Sequence, residues 1–426
     1  MSYSNCKLSI NQERFMLAEK FTRGNYSLPV SYIIESPLDK DKLRASIMAV
    51  MERHDVFKLS LSGASKVSYG LEVNPKIKLI IDEQTIEDGN IEAIKKNIND
   101  YFYKEVDFTE SSLVRYQLIK LSNNKHVFTF SIHHMLSDGI SITIFIKDLC
   151  DAWNDISSYK LKPKSSYIKC IRDNKLSALE NIEDCISYWK DYLLGACDVR
   201  LSSDYILPKD KKYDKRMVSL AIGKELTRKI DILSKCCDVS AFNVLYAAYN
   251  ILISRYSNKS DICTTFQSSG RQLISDSKST IGLFSCALIL RQNVDNNSTF
   301  CHLFSSIREN IYNCISNQKL PYHYIIKNTS IHPKYGINWH PSTPQLVFSD
   351  LNISKHEYTS WQSDFDLNLH CTIINDEIHL NLQYDYYLFS KQIVSTILKQ
   401  FENVLTQISE TESADIRLSD INLTSL

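Results

Sequence analysis

The run Ser131-Ile132-His133-His134-Met135-Leu136-Ser137-Asp138-Gly139 sets two adjacent histidines before an Asp-Gly pair at the spacing HHxxxDG, and so concentrates acid-base groups at one point of the chain. A neutral imidazole near its working pH can take a proton from an attacking amine or hydroxyl, or hold that nucleophile by a hydrogen bond. Asp138, one turn on, is better placed to pair with a cation and fix the loop than to touch a substrate. Gly139 lets a second molecule come close to the backbone. The competing reading is a satisfied structural pair of histidines beside an ordinary Asp-Gly turn. Zinc sites use histidines about one helical turn apart or paired cysteines, and neither pattern occurs near this run, so no metal site is expected.

The elements around the run decide how it can be displayed. Residues 127–132 alternate in a two-residue rhythm, with Phe128, Phe130 and Ile132 on one side, as a strand buried on one face does. The two histidines should then face opposite ways. After Gly139 the period changes: Ile142, Phe145, Ile146, Leu149 and Trp153 recur at helical spacing, with Ser141 available as the cap. The motif therefore sits on a strand-to-helix turn.

Upstream, a strand at residues 30–34 leads through Leu38-Asp39 into a helix that places Leu43, Ile47, Val50 and Met51 on one face. A helical stretch at 177–194, containing Tyr188-Trp189, joins two halves. The second half reads as a strand near Arg216, helices at 224–234 and 241–256, and strands at 262–267, 287–294, 345–348, 370–374 and 378–384. A helix at 390–408 closes it. Each half mixes strands and helices, so the expected fold is mixed α/β in two lobes with a channel between them.

The 426 residues exceed one ordinary core and suit two domains. With 43% hydrophobic residues and only 10 glycines and 9 prolines, the chain is expected to be globular rather than disordered. Lys+Arg and Asp+Glu are both 49, which leaves no basic field for nucleic acid or an anionic membrane. The first residues, MSYSNCKLSINQERF, lack the apolar core of a signal peptide, and the longest apolar stretch is only helix length, so a cytosolic protein is expected. The 12 cysteines form no CxxC pair and read as reduced, buried thiols, with Cys236-Cys237 at a helical core position.

Taken in order, the motifs resemble those of the condensation domains of nonribosomal peptide synthetases, nearly end to end. Residues 9–17, SINQERFML, look like that family's opening motif, and Arg53-His54-Asp55-Val56-Phe57-Lys58 is similar to its RHExLR motif. HHMLSDG resembles its active-site motif, and Tyr188-Trp189 its lobe-linking helix. Gly270-Arg271 followed by Ile281-Gly282-Leu283-Phe284 resembles its IGxFVN segment; Asn317-Gln318, Pro321-Tyr322 and Phe365-Asp366-Leu367 continue the order.

This resemblance implies two chloramphenicol-acetyltransferase-like lobes in a V-shaped pseudo-dimer around a central substrate tunnel. The N-terminal lobe would be residues 1–176. The C-terminal lobe would be 177–426, including the linking helix 177–194 and a floor segment at 265–291. The implied reaction joins an acyl or peptidyl thioester, carried on the phosphopantetheine arm of a carrier protein acting in trans, to an amine acceptor, with no bound cofactor. His134 would position the acceptor or act as general base, and His133 would support it structurally. Asp138 would pair with a cation from the early helix, and the Gly139 backbone would meet the oxyanion or allow close approach. Ser137, Ser285 and Cys286 would line the tunnel, while Arg53, His54, Lys58 and Arg271 would be structural. A monomer is implied.

The chain departs from the family at several positions. Lys58 stands where arginine is usual, Ser285-Cys286 replace the usual Val-Asn, and His323 replaces an acidic residue. Two alternatives stay open. One is a related HHxxxDG acyltransferase making esters on hydroxyl acceptors from carrier- or coenzyme A-bound donors; the other is a catalytically silent domain that docks carrier proteins. Met1 is expected to mark a free-standing protein rather than an excised domain.

Overall fold

In the computed structural model, which describes residues 6–22, 26–65, 68–86, 90–104, 112–122, 124–174, 182–202, 215–272, 274–342, 344–356, 365–410 and 417–423, the alternation before the histidines becomes the strand Lys125–His133. It lies at the centre of a five-stranded sheet, between Ser27–Ile34 and Val114–Ser122, with Ile353–His356 and Ile81–Thr85 at the edges. It is buried on both faces, not one. Phe128, Phe130 and Ile132 join the core beneath the helices Lys40–Arg53 and Gly139–Asn154, while Val127 packs with Ile94, Ile98 and Phe102 of the helix Ile91–Phe102. The polar residues of the strand survive burial because they are paired: Thr129 Oγ1 lies 2.8 Å from Ser31 Oγ.

The chain divides into two units. The first comprises Met1–Glu180, Ser269–Ser285 and Thr343–Gln362; the second comprises Asn181–Ser268, Cys286–Ser342 and Ser363–Leu426. A boundary near residue 176 therefore differs from the structure in two inserted segments. One is most of the expected floor segment. Its flanks, Asp261–Ser268 and Cys286–Asn293, are antiparallel neighbours in the second unit, whereas residues 269–285 pack in the first. The other insertion corrects the strand expected at 345–348: Leu346 and Phe348 are buried anchors in irregular chain, with Phe348 stacked on Trp153 at 4.2 Å. Alternating apolar residues also arise where a loop pins itself into a core, which is why the rhythm misled.

In the second unit a six-stranded sheet runs in the order Cys286–Asn293, Asp261–Ser268, Tyr335–Trp339, Leu367–Ile374, Glu377–Asp385 and Lys215–Ala221. Its apolar side chains pack with the helices Ala241–Ser257, Phe300–Ser316 and Lys391–Ser409. The strand Tyr335–Trp339, parallel to both neighbours, was not legible in the sequence. Residues 177–181 of the expected linking helix lie outside the described residues; the helix Glu183–Tyr192 buries Trp189 in the second unit's core.

All 12 cysteines are free, but only Cys170, Cys185, Cys263, Cys286, Cys314 and Cys371 are buried. Cys236 is exposed at the end of the helix Lys224–Cys236, which corrects its expected core position: the apolar stripe of that helix ends before it. Among the described residues no single helix is long and apolar enough to cross a membrane.

Gly270 adopts φ +66°, and a Cβ there would lie 1.9 Å from the Phe284 carbonyl oxygen. Gly270→Ala is therefore expected to destabilise the chain by roughly 1–3 kcal/mol through left-handed strain and overpacking, read as a lower urea midpoint.

Candidate functional site

At His133 the strand ends and a tight turn, His134–Leu136, begins; Asp138 then caps the helix Gly139–Asn154 by accepting from Ser141 N at 2.8 Å. Asp138 is thus the cap in place of the expected Ser141. A short side chain with an ionised oxygen at the N-cap satisfies an otherwise orphaned amide.

The two histidines are used differently. His133 is buried, and its Nδ1 accepts from Met135 N at 3.2 Å, which closes the turn. His134 is only partly buried; its backbone N–H donates to Tyr26 O at 3.0 Å, and its ring stacks on Phe15 with centroids 4.4 Å apart and planes 27° apart. His134 Nδ1 donates to Ser137 O at 2.9 Å. A carbonyl can only accept, so the neutral ring carries its proton on Nδ1 and keeps its lone pair on Nε2. Burial pulls this imidazole below its ordinary value, and the Ser137 carbonyl and the Asp138 charge oppose that shift without reversing it. His134 is therefore held as a neutral acceptor near pH 7.

Asp138 is enclosed by donors. Oδ1 accepts from Ser141 N and from Arg271 Nη2 at 2.9 Å and lies 2.8 Å from Ser141 Oγ; Oδ2 accepts from Phe284 N at 3.1 Å and Ser285 N at 3.3 Å. The cation beside Asp138 is Arg271, not one from the early helix: Lys58 ends the turn Asp55–Lys58, where its carbonyl accepts from Asn74 N. Arg271 Nη1 also donates to the Ser277 carbonyl and, at 2.8 Å, to Thr280 O. One carboxylate thus binds the turn that starts at His134 to residues 269–285. Both of its oxygens are occupied by donors of the turn and of residues 269–285.

Ser137 is wholly buried, and its hydroxyl donates to Ile132 O at 3.0 Å; the structure uses it to hold the turn rather than to line a tunnel. Gly139, exposed, opens the helix without a left-handed φ. Ser285 is partly exposed, with its amide on Asp138. Cys286 lies in the second unit, where its thiol donates to Gln318 Oε1 at 3.5 Å and burial pushes it up to about 12, so it is an inert thiol near neutral pH.

Arg53 and His54 both reach Asp148, His54 Nε2 at 2.7 Å, with Lys162 Nζ 3.7 Å from the other carboxylate oxygen. Burial raises the Asp148 carboxyl, but the His54 hydrogen bond and the Arg53 and Lys162 charges outweigh it, and the net shift is downward. A carboxylate lowered in the folded state contributes stability above its unfolded value, near pH 4, that is lost as pH falls through the folded value. Asp148→Asn is accordingly expected to lower stability at pH 7 and to flatten its loss below pH 4, as measured by urea unfolding across pH.

Phe15 and Asp148 were missed in the sequence. Phe15 opens the apolar run Phe15-Met16-Leu17, and nothing in that run tells a core residue from one that faces an imidazole. Asp148 sits one turn after Phe145 and Ile144 on a helix whose apolar stripe hides it. Among the described residues no three His, Cys, Asp or Glu side chains gather as a metal site.

A family model described as Condensation domain matches residues 4–425. Surfactin synthase subunit 1 of Bacillus subtilis (strain 168) is 26% identical over 418 residues, which cover 93% of this chain and 11% of that protein. The chain thus spans about a tenth of the curated relatives it matches. Its fold is similar to the X-domain solved as a complex of the X-domain and OxyB from teicoplanin biosynthesis, with a TM-score of 0.82, 19% identity and coverage of 99% of this chain and 96% of that one. It is likewise similar to the first condensation domain of the calcium-dependent antibiotic synthetase in complex with substrate analogue 2a, with a TM-score of 0.81, 13% identity and coverage of 98% and 99%.

Proposed function

Because the chain belongs to the condensation-domain family, we propose that it forms an amide bond between an acyl or peptidyl thioester on a carrier protein's phosphopantetheine arm and an amine acceptor, with His134 handling the acceptor's proton. The observation that carries this reading is the hydrogen bond from His134 Nδ1 to Ser137 O, which leaves Nε2 as a lone-pair acceptor on a ring held neutral by burial.

In the proposed reaction the amine nitrogen attacks the thioester carbonyl as one N–H proton passes to His134 Nε2. The carbon–sulfur bond then breaks, and the departing pantetheine thiolate takes the proton back from the imidazolium. Amine and thioester give amide and thiol, and His134 is returned unchanged. The Gly139 N–H, in the first turn of its helix, is the proposed contact for the tetrahedral oxyanion. Holding both substrates in register supplies a further part of the rate. His133, Asp138 and Arg271 act through the shape of the turn.

The test is mass spectrometry of products from the purified chain with acyl-loaded carrier proteins or pantetheine thioesters and a mixture of amine and alcohol acceptors. Amide products support the proposal. Ester products would replace it with acyl transfer to hydroxyls. The likeness to the X-domain, solved as a complex with OxyB, favours one second reading, in which the chain docks protein partners without turnover. Carrier binding with no product from any pair would support that reading.

A further inference from the structure

We propose that Phe15 is a positioning residue for His134: its ring, fixed by the first helix, is the flat wall that sets the plane of the imidazole and keeps water from its face. The inference rests on His134 handling the acceptor's proton.

The helix Ile10–Thr22 presents Gln12 and Phe15 three residues apart, on one face. Gln12 is wholly buried and engaged at both ends of its amide: Oε1 accepts from Ser9 N at 2.9 Å, and Nε2 donates to Met135 O at 3.0 Å. Gln12 therefore ties the helix to the turn that starts at His134, and Phe15 follows one turn later onto the imidazole. Tyr26 completes the arrangement. Its ring meets Phe15 edge-on at 5.3 Å and 81°, while its carbonyl accepts from His134 N. Phe15, Tyr26 and His134 thus form a closed triangle of two ring contacts and one hydrogen bond. The Nδ1 bond to Ser137 O fixes one point of the imidazole but leaves rotation about that bond; a flat apolar wall at 4.4 Å removes it.

The ring also withholds water from an imidazole whose ordinary value is lowered by burial. Among the described residues, the other charged or titratable groups placed against this pair are His133 and Asp138 on the same segment, Tyr26 before the strand Ser27–Ile34, and Arg14, whose guanidinium carbon lies 5.7 Å from the Phe15 ring. Replacing Phe15 alters none of these charges, although it removes the ring contacts of Tyr26 and Arg14.

The test compares Phe15→Ala, Phe15→Leu and Phe15→Tyr in the full chain. It reads kcat, KM and the pH-rate profile, with the His134 ring resonances followed by NMR titration and assigned by their loss in His134→Gln. Phe15→Ala is expected to lower kcat on the order of 10- to 100-fold with KM little changed, and to move the His134 titration up toward its ordinary value. Phe15→Leu keeps an apolar cover without a flat face, so kcat falls while the titration stays low. Phe15→Tyr restores both. Wild-type kcat in Phe15→Leu, or an unmoved His134 titration in a folded Phe15→Ala, would overturn the proposal. The NMR titration needs no turnover: if His134→Gln itself keeps full activity, the proposed function fails while the titration still reports on the wall.

Discussion

His134→Ala is expected to slow the proposed amide formation by about 10²–10⁴-fold, the range over which a positioned general base contributes, with the fold retained. His134 is partly exposed, and its main-chain N–H to Tyr26 O remains in the variant, so truncation removes one side-chain hydrogen bond and one ring contact from a turn held by many others. Single-turnover kinetics with a loaded carrier protein, beside thermal melting, separates lost chemistry from lost structure. The pH dependence follows from the direction of the shift. Burial disfavours the imidazolium, so the neutral ring persists below pH 6.5, and the acid limb of the rate profile is expected to lie below that value. A limb above 6.5, or unchanged turnover in a folded His134→Ala, would remove His134 from the reaction.

Arg271→Ala should be the most damaging single change to stability, about 3–5 kcal/mol, because it strips the cation from a buried carboxylate. The side chains of Arg271 and Asp138 are 6% and 3% exposed, and Arg271 also donates to the carbonyls of Ser277 and Thr280. Its removal leaves Asp138 short of charge compensation and two carbonyls short of donors. Arg271→Lys keeps the charge but cannot reach several acceptors at once in a planar fork, and should recover only part of the loss. Asp138→Ala carries a similar cost, since it frees the amides of Ser141, Phe284 and Ser285 together with the guanidinium. Lys58→Ala is the informative contrast. Lys58 is only partly buried and is not the cation on Asp138, which pairs with Arg271, so its removal should change stability by at most about 0.5 kcal/mol. Guanidinium unfolding of the four variants tests this order; equal losses for Lys58→Ala and Arg271→Ala would refute it.

Local pattern carried the strand, the turn, the helix after Gly139 and the mixed α/β character of both halves, because each depends on periodicity and on turn chemistry within about a dozen residues. Ile142, Phe145, Ile146, Leu149 and Trp153 are all buried as their spacing requires. The same local reading placed His134 at a strand end, where the structure holds it in a defined tautomer. It could not name the partner of Asp138, since Arg271 lies 133 positions away and enters the first unit on a segment whose flanking strands belong to the second. Nor could it distinguish Phe15, against the imidazole, from any other apolar residue of its helix. The residue types and the displayed turn are consequences of short-range backbone preference and hydrophobic period. Ring stacking and carboxylate saturation depend on which distant segments share a core, a matter of long-range packing that no local pattern encodes.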